Sequence, residues 1–350
     1  MSNHICSLFT KLTVLSIFVA TVGCGGGGSG PGGTNPMDTG GSTPTAGETG
    51  NGGAAGGAGG AGSGVGKSAL VWKPSGAPSK YWRSVASSAD GTKLVAAAEG
   101  DYIYTSADAG ATWTQTGTQQ AWWAVASSAD GTKLVAAPHG VHIYTSADSG
   151  ATWTPAGAPG SQAVASSADG TKLAAVVPGG YIYTSGDSGA TWTQTGSYQA
   201  WMSVALSSDG TKLVAVAANG GESGYIYTSS DSVLTGAVAT QHDWSSVASS
   251  SDGTKLVAAG DGWIYSSGDS GATWTTTASP GTSVASSSDG TKLVAADQHG
   301  CIYVSGDSGA TWTPTGSQQR WMSVASSFDG TKLVAVAYGG YIYTSTVLVP

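Results

Sequence analysis

Ser84-Val85-Ala86-Ser87-Ser88-Ala89-Asp90-Gly91-Thr92-Lys93-Leu94-Val95-Ala96-Ala97 opens a unit that this chain of 350 residues repeats seven times. Its Asp-Gly-Thr-Lys core begins again at Asp130, Asp169, Asp209, Asp252, Asp289 and Asp329, at spacings of 40, 39, 40, 43, 37 and 40 residues counting from Asp90. A period near 40 marks an array of one supersecondary unit, each copy burying its apolar faces on its neighbours. Within the first copy, Ser84–Ser88 is a short β-prone run that ends at the Asp90-Gly91 turn. Lys93–Ala97 is a continuous apolar run, as a strand covered on both faces requires. After Glu99-Gly100-Asp101, Tyr102–Thr105 alternates and is rich in β-formers. A third turn, Ser106–Gly110, leads into Ala111-Thr112-Trp113-Thr114.

Four short antiparallel strands per 40 residues, repeated around a circle, describe an all-β protein, a seven-bladed β-propeller. The two ends of the array complement each other. The last copy stops at Tyr343-Thr344-Ser345 without its Trp strand, while Ala69-Leu70-Val71-Trp72-Lys73-Pro74 precedes the first copy and matches that strand in kind. The N-terminal strand is therefore expected to complete the last blade and close the ring, removing an exposed edge.

The third turn has a recognisable form. Ser106-x-Asp108-x-Gly110-x-Thr112-Trp113 resembles the Asp-box, or bacterial neuraminidase repeat, and recurs at Ser146–Trp153, Ser185–Trp192, Ser267–Trp274 and Ser305–Trp312. The copy at Ser229–Val233 has lost the Gly and the Trp. Asp108, Asp148, Asp187, Asp269 and Asp307 are expected to accept backbone N–H bonds inside their turns, with each Trp buried between blades. One Asp per turn supplies too few oxygens for calcium, and no metal or cofactor is expected.

Composition bounds the partners. The net charge is −8 and the only arginines are Arg83 and Arg320, which leaves no cationic cluster to neutralise nucleic-acid phosphates. Lys11 precedes the apolar run Leu12–Ala20, too short to span a bilayer, and Thr21-Val22-Gly23-Cys24 resembles a bacterial lipobox. That resemblance implies cleavage before Cys24 and a membrane partner reached through a lipid on its thiol. Gly-rich residues 25–66 lack large apolar side chains and read as a tether. The organisation is thus signal peptide 1–23, tether 24–66 and propeller 67–350, exported and anchored at the outer membrane or cell surface as a monomer. Cys6 leaves with the signal, and Cys301 is expected to be a lone buried thiol at a position other copies fill with Tyr.

In such blades, the first-to-second and third-to-fourth turns share one face, and here that face is nearly invariant between copies. The second-to-third turns and inter-blade links share the other, which holds nearly all the diversity and is where ligand recognition is expected. Trp82, Trp122, Trp201, Trp244 and Trp321 each stand three residues before the first-strand Val on that side, with Ser161 and Gly281 replacing them in two copies. They are either wedges between blades or stacking platforms. With Trp123 and Arg320 they form the candidate set for a glycan or a protein ligand.

Asp-box sialidases hold a substrate carboxylate with three arginines and use a Tyr–Glu pair, and two arginines cannot supply that triad. The chain is also similar to propeller-type photosystem II assembly factors, whose arginine-rich patch it lacks. No catalytic residues are assigned. The unrepeated carboxylates Glu99, Asp101, Asp243, Asp261 and Asp297 show no spacing that selects a pair, and His139, His142 and His299 read as loop residues. A binding module is the expected function, with a glycan-active hydrolase or lyase as the alternative.

Overall fold

The apolar run after each Asp-Gly turn forms a strand buried on both faces, as at Leu134–Pro138, Leu213–Ala217 and Leu256–Gly260. Alternate side chains serve different neighbours. Ala96 and Ala98 pack with Val334, Val336 and Ile342 of the last repeat, whereas Val95 and Ala97 pack with Trp122, Val125 and Leu134 of the second. A strand gripped on both sides needs small and β-branched residues, which accounts for the Val and Ala content.

The computed structural model describes residues 70–218, 224–229 and 234–346, all within the compact unit Val65–Pro350. Every element among them is a strand or a turn, and every strand pair is antiparallel. The fifth repeat shows the plan: Trp244–Ser249, Leu256–Gly260, Trp263–Ser267 and Thr275–Pro280 lie side by side in that order. Some units are joined rather than separate. Thr114–Ser127 and Thr193–Leu206 run unbroken from the outer strand of one repeat into the inner strand of the next. The link residues pair onto the preceding hairpin tip, Gln120 opposite Asp101 and Ala121 opposite Glu99, which stiffens the link into strand.

The expected complementary ends do meet. Lys73–Pro74 pairs with Ile342–Thr346, Lys73 opposite Thr344 and Pro74 opposite Tyr343. Ser75 N donates to Ile342 O at 2.8 Å, Ser345 Oγ to Val71 O at 2.8 Å, and Trp72 Nε1 to Thr315 Oγ1 at 3.0 Å. Cys301 is buried, as expected. The signal, Cys24 and the tether lie outside the described residues.

The invariant face is a set of saturated turns. Asp90 accepts from Ser88 Oγ at 2.6 Å and from Thr92 N at 2.9 Å, and Ser88 Oγ accepts from Lys93 N at 3.0 Å. Gly91 has φ 68° and lies under the Lys332 stem, where a Cβ would approach within 2.7 Å, so glycine is required twice over. In the Asp-box-like turn, Asp108 accepts from Thr112 N at 2.8 Å, Thr112 Oγ1 at 2.6 Å and Ser106 Oγ at 2.8 Å. This is the expected structural role, repeated at Asp148, Asp187, Asp269 and Asp307. The box tryptophans Trp113, Trp153, Trp192, Trp274 and Trp312 are only half-buried, packed at the repeat junctions.

These bonds favour the carboxylate form. Ser88 and Thr92 hold Asp90 at about 2, and Thr112 and Ser106 do the same for Asp108; the other turn and box aspartates are lowered likewise. A carboxyl whose folded pKa lies below its unfolded value stabilises the fold above the unfolded value and loses that contribution as pH falls to the folded one. Each site is near the surface and contributes little alone, so the effect comes from number. Melting temperature is expected to hold down to the ordinary carboxylate range and then to fall between about pH 4 and pH 2. A melting temperature at about pH 2.5 equal to that at neutrality would contradict the assignment.

The strand pairing at the ends makes a second expectation. Deleting residues 70–76 uncovers the edge of Ile342–Thr346 and the apolar surface around Tyr343, so melting temperature should drop and oligomers should appear on size exclusion. A deletion variant that melts like the parent as a monomer would assign this segment to the tether.

Candidate functional site

The inner strands enclose a cavity of about 470 Å³ whose wall is built from their Ser-Val or Ala-Val pairs, such as Ser84-Val85, Ala124-Val125 and Ser246-Val247. Residues from the inner strands of all seven copies reach it. At its rim, on the variable side, the residue directly after the Trp position changes from copy to copy, with Met alone used twice, at Met202 and Met322. Arg83, Trp123, Gln162 and Met202 stand there in the first four copies.

Three neighbouring repeats gather a charged and aromatic cluster at this rim. The Arg83 guanidinium lies 4.1 Å from the Trp123 ring centroid and 4.8 Å from that of Tyr338. It donates to Glu99 Oε2 through Nε at 2.9 Å and through Nη2 at 2.6 Å. The Tyr338 hydroxyl donates to the same oxygen at 3.0 Å. Arg320 stacks on Tyr338 at 4.4 Å and, among the described residues, has no carboxylate within ion-pair distance. Tyr81 packs on Tyr338 at 5.0 Å and His139 on Trp123 at 5.6 Å. Beside them Lys80 pairs with Asp101. A guanidinium between two rings is held by cation–π attraction worth about 0.5–2 kcal/mol per contact, so the cluster is rigid before any ligand arrives.

Two of the expected site residues, Trp123 and Arg320, belong to this cluster. The other five do not. Trp82, Trp122, Trp201, Trp244 and Trp321 are at most 1% exposed, so no ring face of theirs is open to a ligand, and the platform reading is corrected to that of wedges. Each meets a Tyr of its own repeat edge-on, as Trp82 meets Tyr104 at 5.1 Å. The Nε1 of Trp122, Trp201 and Trp321 is tied to a carbonyl four residues upstream. In place of the missing wedges, Ser161 is buried and Gly281 sits against the Ile264 side chain.

Tyr338 was not singled out from the sequence, although a signal existed. It stands six residues after its repeat's Lys, as do Glu99 and His139 in the two following repeats. Reading that column across adjacent copies, together with Arg83 and Trp123, outlines the cluster.

The cluster offers no activated phenol and no unpaired carboxylate. The Tyr338 hydroxyl is pushed up first by its bond to Glu99 and then by burial, opposite to what an activated phenol needs. Glu99 is neutralised by Arg83, and Asp101 by Lys80. The remaining unrepeated carboxylates are elsewhere: Asp261 accepts from His242 at 2.6 Å and from Asp243 N at 2.8 Å, and Asp297 sits in the sixth repeat. The described residues contain no group of three His, Cys, Asp or Glu able to hold a metal.

No family model matches the chain, and no curated protein matches it in sequence. Solved structures do. "YCF48 bound to D1 peptide" superposes with a TM-score of 0.61 at 15% identity, covering 79% of this chain and 97% of that one. The fold is a β-propeller. YCF48 from Cyanidioschyzon merolae gives a TM-score of 0.60 at 14% identity, covering 79% and 98%. At such identity the likeness concerns the fold alone.

Proposed function

We propose that this propeller is a binding module that takes a peptide or a glycan at the rim of its central cavity. The observation that carries the reading is the preformed stack of Trp123, Arg83, Tyr338 and Arg320, anchored by Glu99. Flat aromatic and guanidinium faces beside free donors suit a sugar ring or a peptide side chain. The bound peptide in one YCF48 structure is a precedent for peptide binding on this fold. Exposed Tyr81, Tyr198, Trp263 and Tyr341 extend an aromatic surface along the same variable side. Glycan hydrolysis has less support, because the carboxylates near the rim are each neutralised by a cation and the others lie on different repeats.

The finer architecture we infer is a closed ring of seven blades of the Asp-box type. Support comes from the chain of backbone bonds that runs from repeat to repeat and returns from Phe328 N to Ala89 O, and from the pairing of Lys73–Pro74 with the last repeat. The monomer we infer is exported and lipid-anchored through Cys24 on its Gly-rich tether, at the outer membrane or cell surface, which would present the rim to extracytoplasmic partners.

Glycan and peptide arrays probed with the full protein test the binding reading. Aromatic stacking contributes on the order of 1–3 kcal/mol, so Trp123→Ala should weaken the best hit roughly 5- to 150-fold while the melting curve stays close to the parent's. Arg320→Ala should act in the same direction. Trp201→Ala is the contrast, expected to destabilise by about 3–5 kcal/mol as a core truncation. Unchanged binding in both rim variants would sink the proposal. For the anchor, Cys24→Ala should move the protein from the detergent phase to the soluble exported fraction; persistence in the detergent phase would refute lipidation.

A further inference from the structure

We propose that the central cavity itself is a carboxylate-binding site, with the backbone N–H groups of Val164 and Val204 as its donors. The inference begins with a pattern on the inner strands. In five repeats the N–H of the first-strand Val donates to a serine hydroxyl of the preceding repeat: Val85 to Ser323 at 3.3 Å, Val125 to Ser84 at 3.2 Å, Val247 to Ser203 at 3.2 Å, Val284 to Ser246 at 3.2 Å and Val324 to Ser283 at 3.3 Å. The residues that would cap Val164 and Val204 are Ala124 and Ala163. A methyl group cannot accept, and neither N–H has an acceptor among the described residues.

Register shows where these two groups point. Ser167 N donates to Lys172 O, so in the alternating antiparallel pattern Ala165 and Ala174 exchange bonds while Val164, opposite Ala175, does not. Its N–H is turned to the free edge of the inner strand. Ser207 N to Lys212 O and the pairing of Val204 with Ala215 place the second group identically. Both valines line the cavity, on adjacent repeats.

The cavity selects the sign and shape of the guest. No carboxylate is among its lining side chains, and the one charged lining side chain among the described residues, Arg83, is already paired with Glu99, so the two uncapped N–H groups are the donors left to a guest. Two neighbouring N–H donors in a wall of that polarity match a group with two acceptor oxygens on one carbon, and charge-assisted bonds of this kind are the stronger ones. A small carboxylic acid or a carboxylate carried on a narrow chain is the implied ligand class. This deepens the binding reading above, yet it uses neither Trp123 nor Arg320, so the two can fail separately.

Hydrogen exchange resolved at single amides of the full protein tests it, with acetate as the probe and acetamide as the neutral control. In the parent, Val164 and Val204 should exchange faster than the five serine-capped valines. Acetate should slow those two amides roughly tenfold, with acetamide doing far less. Ala124→Ser and Ala163→Ser restore the missing acceptors; each should raise protection at its own valine, keep or raise melting temperature, and abolish the acetate effect there. Equal protection of all seven valines in the parent would overturn the proposal, as would an acetate effect that is absent or that survives in both serine variants.

Discussion

One backbone hydrogen bond per repeat organises this molecule. Ala89 N donates to Ala129 O, Ala129 N to Ala168 O, Ala168 N to Ser208 O, and so on through Ser251, Ser288 and Phe328, whose N–H donates back to Ala89 O. Each donor sits just before an Asp-Gly turn, so the turn must hold one conformation for the bond to the next repeat to form. The local Ser–Asp–Thr contacts and the left-handed glycine provide that conformation. The near-invariance of the Asp-Gly-Thr-Lys face follows from this constraint, without any need for a ligand there.

The lysines of the same motif show how the framework absorbs variation. Lys93, Lys133 and Lys255 donate to Ser149, Ser188 and Ser308 in the neighbouring Asp-box-like turn. Lys332 faces a box with Ala109 in place of that serine, and Lys292 faces the last repeat, which ends before a box. Both turn instead to a turn carbonyl, Asp90 O at 2.7 Å and Asp329 O at 2.8 Å. A flexible ammonium with three donors tolerates either acceptor, so degenerate boxes do not break the array.

The opposite face obeys no such constraint, and its chemistry arises from which repeats happen to be adjacent. Arg83, Trp123 and Tyr338 come from three consecutive repeats, counting the last as the neighbour of the first, and Glu99 holds the arginine and the tyrosine together. The same adjacency of repeats brings Ala124 and Ala163 into line on the cavity wall, where two serine caps are missing in succession. Framework and variable chemistry are thus separated by face, one built from what the copies share and the other from where they differ.

The repeat period, the four strands of each copy, the saturated Ser-x-Asp turns and the complementary ends were legible in the sequence, because each depends on local chemistry or on periodicity. Glycine at positive φ, an Asp within reach of its own backbone and an apolar run covered on both faces leave direct marks in the chain. The exposure of a tryptophan does not. Trp122 and Trp123 are adjacent, yet one is a buried wedge and the other flanks Arg83 at the rim, because successive residues of a strand point to opposite sides. Only the packing of neighbouring repeats decided which of the two closes the core and which meets solvent. It also brought Glu99 and Tyr338, 239 residues apart, onto one hydrogen bond, a proximity created by the array and recorded in no single copy of the repeat.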